Sequence, residues 1–231
     1  MKPKLVVLSG AGISAESGIA TFRDAGGLWE GYDIMQVASI DGWNKNKSLV
    51  LDFYNQRRKQ AINAKPNLAH EILVQLEEKF EVIIITQNVD ALHEMAGSSN
   101  VIHLHGELFK ARSTKDNQLV YELKGWELKE GDLCEMGAQL RPHIVWFGEE
   151  VPMMGRANKI ASEAQIFIVI GTSLQVYPAA GLIDYVPNNA IKYLIDINVP
   201  IVSNHYNIKI IKDSATVGMK KVFDELNSIF S

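Results

Sequence analysis

The 231-residue sequence predicts an α/β fold, a Rossmann-like parallel sheet with helices on both faces and a smaller inserted module. Three observations carry that expectation. Short runs rich in Val, Ile and Leu recur without polar alternation at residues 4–8, 82–86, 165–171 and 192–197. Strands covered by helices on both faces read this way, because neither face meets water. Helical patterns separate the runs, and a glycine loop directly follows the first of them. Strand–helix alternation of this kind points to a doubly wound core.

Taken in order, the first run leads into Gly10-Ala11-Gly12-Ile13-Ser14-Ala15, which satisfies G-x-G-x-x-A after a strand. Glycine lets the backbone approach phosphates, and a helix starting here would offer its N-terminus to a pyrophosphate. A dinucleotide dehydrogenase would also carry an acidic residue about 20 positions on, at the end of a second strand. Asp24 comes too early, so that class loses ground. Residues 25–65 hold Gly26-Gly27, Trp29 and a helical pattern at 48–62 through Leu49, Phe53 and Ile62. Residues 67–79 place Leu68, Ile72, Leu73 and Leu76 on one helical side, and 217–229 do the same with Met219, Val222, Phe223 and Leu226. Residues 111–141 are polar and glycine-spaced, with a weak strand at 119–123. The organisation expected is a single unit: a core of about 1–24, 66–110 and 142–231, a helical insertion at about 25–65, and a small module at about 111–141.

Composition narrows the function. Lys+Arg 23 against Asp+Glu 27 gives a net charge of −4, with no basic block longer than Arg57-Arg58-Lys59. Nucleic-acid binding by phosphate neutralisation is a poor fit. One cysteine, Cys134, leaves no disulfide framework. The apolar runs are far too short to span a bilayer, and the N-terminus reads as a strand rather than a signal peptide. A soluble, cytoplasmic monomer is expected.

Six blocks then carry a resemblance. They are the stretch from Gly10 to Arg23 (GAGISAESGIATFR), Thr86-Gln-Asn-Val-Asp-Ala-Leu-His93, Leu104-His-Gly-Glu-Leu108, Arg141-Pro-His-Ile-Val-Trp-Phe-Gly-Glu149, Gly171-Thr-Ser-Leu-Gln-Val-Tyr-Pro178 and Ile195-Asp-Ile-Asn198. In order and spacing they resemble the sirtuins, the NAD-dependent protein deacylases, over nearly the whole chain. The resemblance implies NAD as cofactor and acyl-lysine proteins or peptides as substrates. It assigns His105 as general base, a task imidazole suits because its pKa lies near neutrality. It gives Asn88 the nicotinamide-side ribose and Asp90 the nicotinamide carboxamide, whose N–H groups a carboxylate can accept. Asp90 also reads as a cap for the helix at Ala91-Leu92-His93-Glu94, and the two roles are compatible. Cofactor contacts are implied at Gly10, Ala11, Gly12, Ile13, Ala15, Gln87, Gly171, Thr172, Ser173, Asn198 and Ala215. Phe22 and Arg23 match a lid that shields the reactive ribose carbon from water, although Ala20 stands where the family commonly has proline. Val145, Phe147, Gly148 and Glu149 match an edge to which a substrate peptide adds as a strand. His103, two residues before His105, would point to the opposite side of an extended segment, and His70 and His93 fall in helical contexts and read as structural.

Two departures stand out. Most sirtuins hold a structural zinc with two Cys-x-x-Cys pairs. Here the matching positions are Ser113, Asp116, Leu133 and Met136, with Cys134 beside a ligand position and not on it. No thiolate cage can form, so no metal is expected. Trp126, Leu128, Leu133 and Met136 are then expected to form an apolar cluster in its place. Tyr54-Asn-Gln-Arg57, with Ala38 upstream, resembles the Tyr-x-x-Arg pair of class III members, which remove succinyl and malonyl groups. At i, i+3 the phenol and guanidinium share a helix face, and Arg can grip a carboxylate bidentately. The bare alternative packs Tyr54 and leaves Arg57 on a solvated face with Arg58 and Lys59. The implied activity is release of nicotinamide and O-acyl-ADP-ribose, with succinyl- or malonyl-lysine preferred over acetyl-lysine. Deacetylation without acidic preference, ADP-ribosyl transfer or NAD hydrolysis, and non-catalytic NAD binding remain as alternatives.

Overall fold

The structure, a computed structural model, describes residues 2–21, 31–200 and 206–230, together with the backbone of 28 and 29. Its strands are β1 (Lys4–Ser9), β2 (Leu28–Trp29), β3 (Tyr32–Asp33), β4 (Glu81–Thr86), β5 (Val101–His103), β6 (Gly106–Ser113), β7 (Val120–Glu122), β8 (Leu140–Ile144), β9 (Ile166–Ile170), β10 (Ile191–Ile195) and β11 (Lys209–Ile211). Its α-helices are α1 (Ile34–Val37), α2 (Ile40–Lys45), α3 (Lys47–Ala61), α4 (Leu68–Leu76), α5 (Leu92–Ala96), α6 (Met154–Ser162) and α7 (Ala215–Ile229).

Six strands form the main sheet in the order β11-β10-β9-β1-β4-β5, and every pairing in it is parallel. The Val/Ile runs are buried on both sides, as the absence of alternation predicts. Leu5 and Val7 face α4 and α7, where Ile72, Leu73, Leu76, Met219, Val222 and Leu226 pack. Val6 and Leu8 face α6 and the 3-10 helix Ala179–Tyr185, through Ala157, Ala161, Leu182 and Ile183. At roughly 25 cal/mol per Å² of apolar area, these two layers supply most of the driving force for the core. Strand order reverses at β1, which has β4 on one side and β9 on the other. A crevice opens at the carboxyl ends of such strands, where α/β sheets bind ligands.

A second packing unit lies beside the sheet. Helices α1–α3 meet an antiparallel sheet of order β7-β6-β8 through Trp43, Val50, Phe53, Tyr54, Leu108, Ala111, Leu128 and Trp146. Asn55 on α3 ties down residue 128, accepting from Leu128 N–H at 2.9 Å and donating to its carbonyl at 3.1 Å.

Several elements differ from their sequence expectation. The glycine loop opens into two 3-10 turns, Ala11–Ile13 and Ala15–Ser17, instead of an α-helix. The run at 192–197 forms a strand that ends at Ile195, before the Asp196–Asn198 turn. The expected helical side chains Ile62 and Leu68 are 49% and 45% exposed, because they lie at the helix ends and outside the packed stripe. In the small module Leu128 is buried, but Leu133 and Met136 are 55% and 48% exposed. Polar bonds hold this turn instead. Cys134 Sγ lies 3.3 Å from Ser113 Oγ, and that hydroxyl also accepts from the N–H groups of Lys115 and Asp116. The Gln139 side-chain amide bonds the carbonyls of Lys129, Asp132 and Leu140, and its oxygen accepts from Gly131 N–H.

Candidate active site

A cavity of about 520 Å³ occupies the crevice, within the range typical of small-molecule sites. Backbone contacts build one wall. Gly10 N–H donates to Ile170 O at 3.0 Å, and Gly12 N–H donates to Gly171 O at 2.8 Å. A Cβ on Gly12 would fall 2.5 Å from Gly171 Cα, and one on Gly10 would fall 2.7 Å from Gly171 O. Only glycine permits this approach. Gly10, Ala11, Gly12, Ala15, Gln87, Asn88, Asp90, Gly171, Thr172, Ser173, Asn198 and Ala215 all line the cavity. Ile13 does not. Its side chain is fully buried in the sheet core, and its N–H bonds Gly10 O. Phe22 and Arg23 lie outside the described residues. At the foot of this wall Glu16 anchors α7, accepting from Thr216 N–H, Thr216 Oγ1 and Ser214 Oγ.

A buried polar relay sits behind the wall. Asn88 Nδ2 donates to Gly10 O at 3.2 Å and to Ser14 Oγ at 3.1 Å, and Ser14 Oγ donates to Asp90 Oδ2 at 3.1 Å. Asp90 Oδ1 also accepts from Leu92 N–H at the start of α5, but the N-cap position is Ala91, so Asp90 faces the cavity without being the expected cap. Burial raises its pKa above the usual carboxylate value, although these two bonds favour the charged form. Thr86 Oγ1 accepts from Ser9 Oγ and from Asn88 N–H, and Ser9 Oγ lies 2.9 Å from His93 Nε2. Ser14, Ser9 and Thr86 were not singled out as candidates, since small hydroxyl residues beside strands carry no distinguishing pattern.

His105 lines the cavity, with Nδ1 3.0 Å from Gln87 O. A carbonyl only accepts, so Nδ1 carries the proton and the neutral ring keeps its lone pair on Nε2. Burial holds its pKa below the ordinary value, against the pull of that bond. His103 bonds Asn88 O through Nδ1 and Glu94 Oε1 through Nε2, at 3.0 and 2.7 Å. Burial lowers its pKa, but the Glu94 carboxylate more than offsets this, and the net shift is upward. Two histidines two residues apart are thus biased toward opposite charge states.

The other wall is made of side chains. Ala38, Tyr54, Arg57, Val145, Trp146, Phe147, Gly148 and Glu149 all line the same cavity. Tyr54 and Arg57 are buried, at 0% and 6% exposure. Arg58 is also buried, at 0%, contrary to a solvated Arg57-Arg58-Lys59 face. It donates to Trp126 O, Leu108 O and Asn55 Oδ1. The stretch 144–149 is not an open strand edge. Strand β8 ends at Ile144, and the next three N–H groups are engaged: Val145 with His105 O, Trp146 with Glu149 Oε2, and Phe147 with Ala38 O. An added strand would have to use the carbonyls and the Gly148 turn. Glu149 is a structural hub as well as a lining residue, gripped by Arg141 at 2.9 and 2.8 Å and by Arg112 at 2.9 Å. Among the described residues no group of three His, Cys, Asp or Glu side chains is placed to hold a metal ion.

Comparison with known proteins agrees with this geometry. The Sir2 family model matches residues 10–178. An NAD-dependent protein deacylase of Helicobacter pylori strain J99 is 55% identical over 224 residues, 96% of this chain and 94% of that protein. One from Bacteroides thetaiotaomicron is 52% identical over 223 residues, 94% and 95% of the two chains. A solved Sir2 homologue–NAD complex superposes with a TM-score of 0.88 at 36% identity, covering 100% of this chain and 91% of that one. Identity at this level, spread over nearly the full length of both partners, leaves one conclusion: the chain belongs to the Sir2 family.

Proposed function

We propose that this NAD-dependent protein deacylase favours succinyl- or malonyl-lysine over acetyl-lysine and releases nicotinamide and O-acyl-ADP-ribose. The observation that carries the acyl preference is the presence of Tyr54 and Arg57 on the wall of the same cavity as His105. A guanidinium and a phenol on one wall both donate hydrogen bonds, and a carboxylate can accept from both. Acetyl offers only a methyl there.

The residues present fit NAD. Glycine backbones close on each other at Gly10, Gly12 and Gly171, and an amide, a carboxyl group and an imidazole line the cavity beyond them. When bound, NAD supplies an ADP-ribose acceptor with nicotinamide as the leaving group. Asp90 and Asn88 are the groups for orienting that half, and their mutual link through Ser14 fixes both side chains before any ligand arrives. His105 takes a proton at Nε2, the nitrogen that Gln87 O leaves as the base. Its depressed pKa keeps the ring neutral and ready at physiological pH.

The test is mass spectrometry of matched acetyl-, succinyl- and malonyl-lysine peptides incubated with NAD, using wild type, Arg57→Met and, as control, Lys59→Met at an exposed position. Charge-assisted bonds are worth about 1.5–3 kcal/mol, so Arg57→Met should lower the succinyl-to-acetyl ratio of kcat/KM by roughly one to two decades. Equal losses on both substrates would reduce Arg57 to a structural residue, and the acidic preference would fall. Free ADP-ribose or ADP-ribosylated peptide in place of O-acyl-ADP-ribose would overturn the assigned products.

A further inference from the structure

We infer that Trp146 sets acyl selectivity as a positioning residue, its indole N–H fixing the Tyr54 hydroxyl as a donor toward an acidic acyl group. This rests on the acidic preference proposed above and names a residue which that reading did not include.

Trp146 is 2% exposed, and its Nε1 donates to Tyr54 Oη at 3.0 Å. Among the described residues this indole is the hydrogen-bond partner of the phenol, and it occupies a lone pair of the oxygen. The hydroxyl hydrogen is left to point elsewhere. Tyr54 is among the residues that line the cavity, although it is 0% exposed, so the donor lies just behind the cavity surface. Burial pushes the phenol's pKa far above its ordinary value, which keeps the proton on the oxygen. A carboxylate is an acceptor only, and it matches a hydroxyl held in this state.

The indole is itself clamped. The Trp43 ring packs at 5.7 Å between centroids, and the Arg141 guanidinium carbon lies 3.4 Å from the Trp146 ring centroid. Glu149 holds Arg141 with both oxygens and accepts from Trp146 N–H at 2.8 Å. Arg112 on β6 completes the cluster. The direction of the Tyr54 hydroxyl is therefore set from the small antiparallel sheet, through Glu149, Arg141 and Trp146.

The test measures kcat/KM for succinyl- and acetyl-lysine peptides in wild type, Arg57→Met, Tyr54→Phe, Trp146→Phe and the Tyr54→Phe/Trp146→Phe double variant, with thermal melting as a folding check. Trp146→Phe should lower the succinyl-to-acetyl ratio about five-fold and Tyr54→Phe about ten-fold. The double variant should match Tyr54→Phe alone, because Trp146 acts through the hydroxyl that is already gone. Trp146→His keeps a ring N–H and should hold the ratio within about two-fold of wild type; it carries the test if the phenylalanine variant does not fold. A Trp146→Phe ratio equal to wild type, multiplicative losses in the double variant, or a collapsed ratio in Trp146→His overturns the inference. If Arg57→Met lowers the ratio while Trp146→Phe does not, this inference alone fails. If wild type shows no acidic preference, it falls together with the reading beneath it.

Discussion

The strand-end wall of the cleft is set by backbone contacts between Gly10, Gly12 and Gly171, whereas the facing wall is set by side chains on α3 and on the stretch 145–149 that follows β8. Backbone walls leave little to adjust, because any Cβ at Gly12 collides with Gly171 Cα. Such a wall suits the invariant part of a reaction, the cofactor. A wall of side chains can be altered one residue at a time, which is why the acyl preference proposed above is placed there. Charge is handled differently too. The strand-end side is backed by two neutral imidazoles, His70 and His93, with ring centroids 4.9 Å apart. The facing side is backed by the Arg112–Glu149–Arg141 cluster.

The largest effect expected lies where the two walls meet. His105 is tied to the strand-end side through Gln87 O and to the facing side through its own carbonyl, which accepts from Val145 N–H at 2.9 Å. His105→Ala should lower turnover by roughly 10²–10⁴ while NAD affinity stays within a few-fold. Calorimetric titration with NAD beside steady-state kinetics checks this. Turnover within a few-fold of wild type would mean another group is the base.

Acid should separate the walls. His70 is held near pKa 4 by burial, and burial also carries His93 well below its ordinary value. For a depressed pKa the unfolded chain binds more protons below about 6.5, so stability is lost as pH falls from there. The gap at His70 alone corresponds to about 3 kcal/mol by pH 4. Burial would raise the pKa of Glu149, but hydrogen bonds from Arg141 and Trp146 N–H bring it below 4.5 overall. Its contribution is present above that value and drains away as pH falls through its lower folded value. Hydrogen exchange should therefore show opening around α4 and α5 from pH 6.5 downward, with β6 and β8 protected until below 4.5. Simultaneous loss in both regions would refute the division.

The sequence made the strand-end wall legible because its requirements are local: glycines after a Val/Ile run, then polar residues after another. The facing wall was legible only in part. Arg57-Arg58-Lys59 looks like a solvated helix face, and what buries Arg58 is the carbonyl of Trp126, 68 residues away. Its local partner Asn55, one turn back, was the one nearby hint. Trp146 stands in the sequence only as part of the Arg141–Glu149 block, since no one-dimensional pattern shows where an indole N–H points. Arg58→Met should thus cost about 2 kcal/mol by leaving buried carbonyls without their donor. Chemical denaturation of the variant, against a smaller loss for Lys59→Met, whose Nζ lies 3.6 Å from the Trp126 ring centroid, measures the difference.

The smallest effect is expected from chelation. A structural zinc commonly supplies much of a small module's folding free energy. Here the turn is closed instead by Ser113, Cys134 and Gln139, whose bonds reach the backbone at Lys115, Asp116, Lys129, Gly131, Asp132 and Leu140. Each such bond contributes about 1 kcal/mol net. Gln139→Ala, which removes four of them at a partly exposed site, should lower stability by about 2 kcal/mol, and Cys134→Ala by less. Chelator should change neither the melting temperature nor deacylation, and elemental analysis should find no stoichiometric zinc. About one zinc per chain, or melting that depends on chelator, would show that ligands other than the four replaced cysteines close the module. The side-chain wall would then owe its rigidity to a metal and not to the hydrogen bonds that reach it from the small sheet.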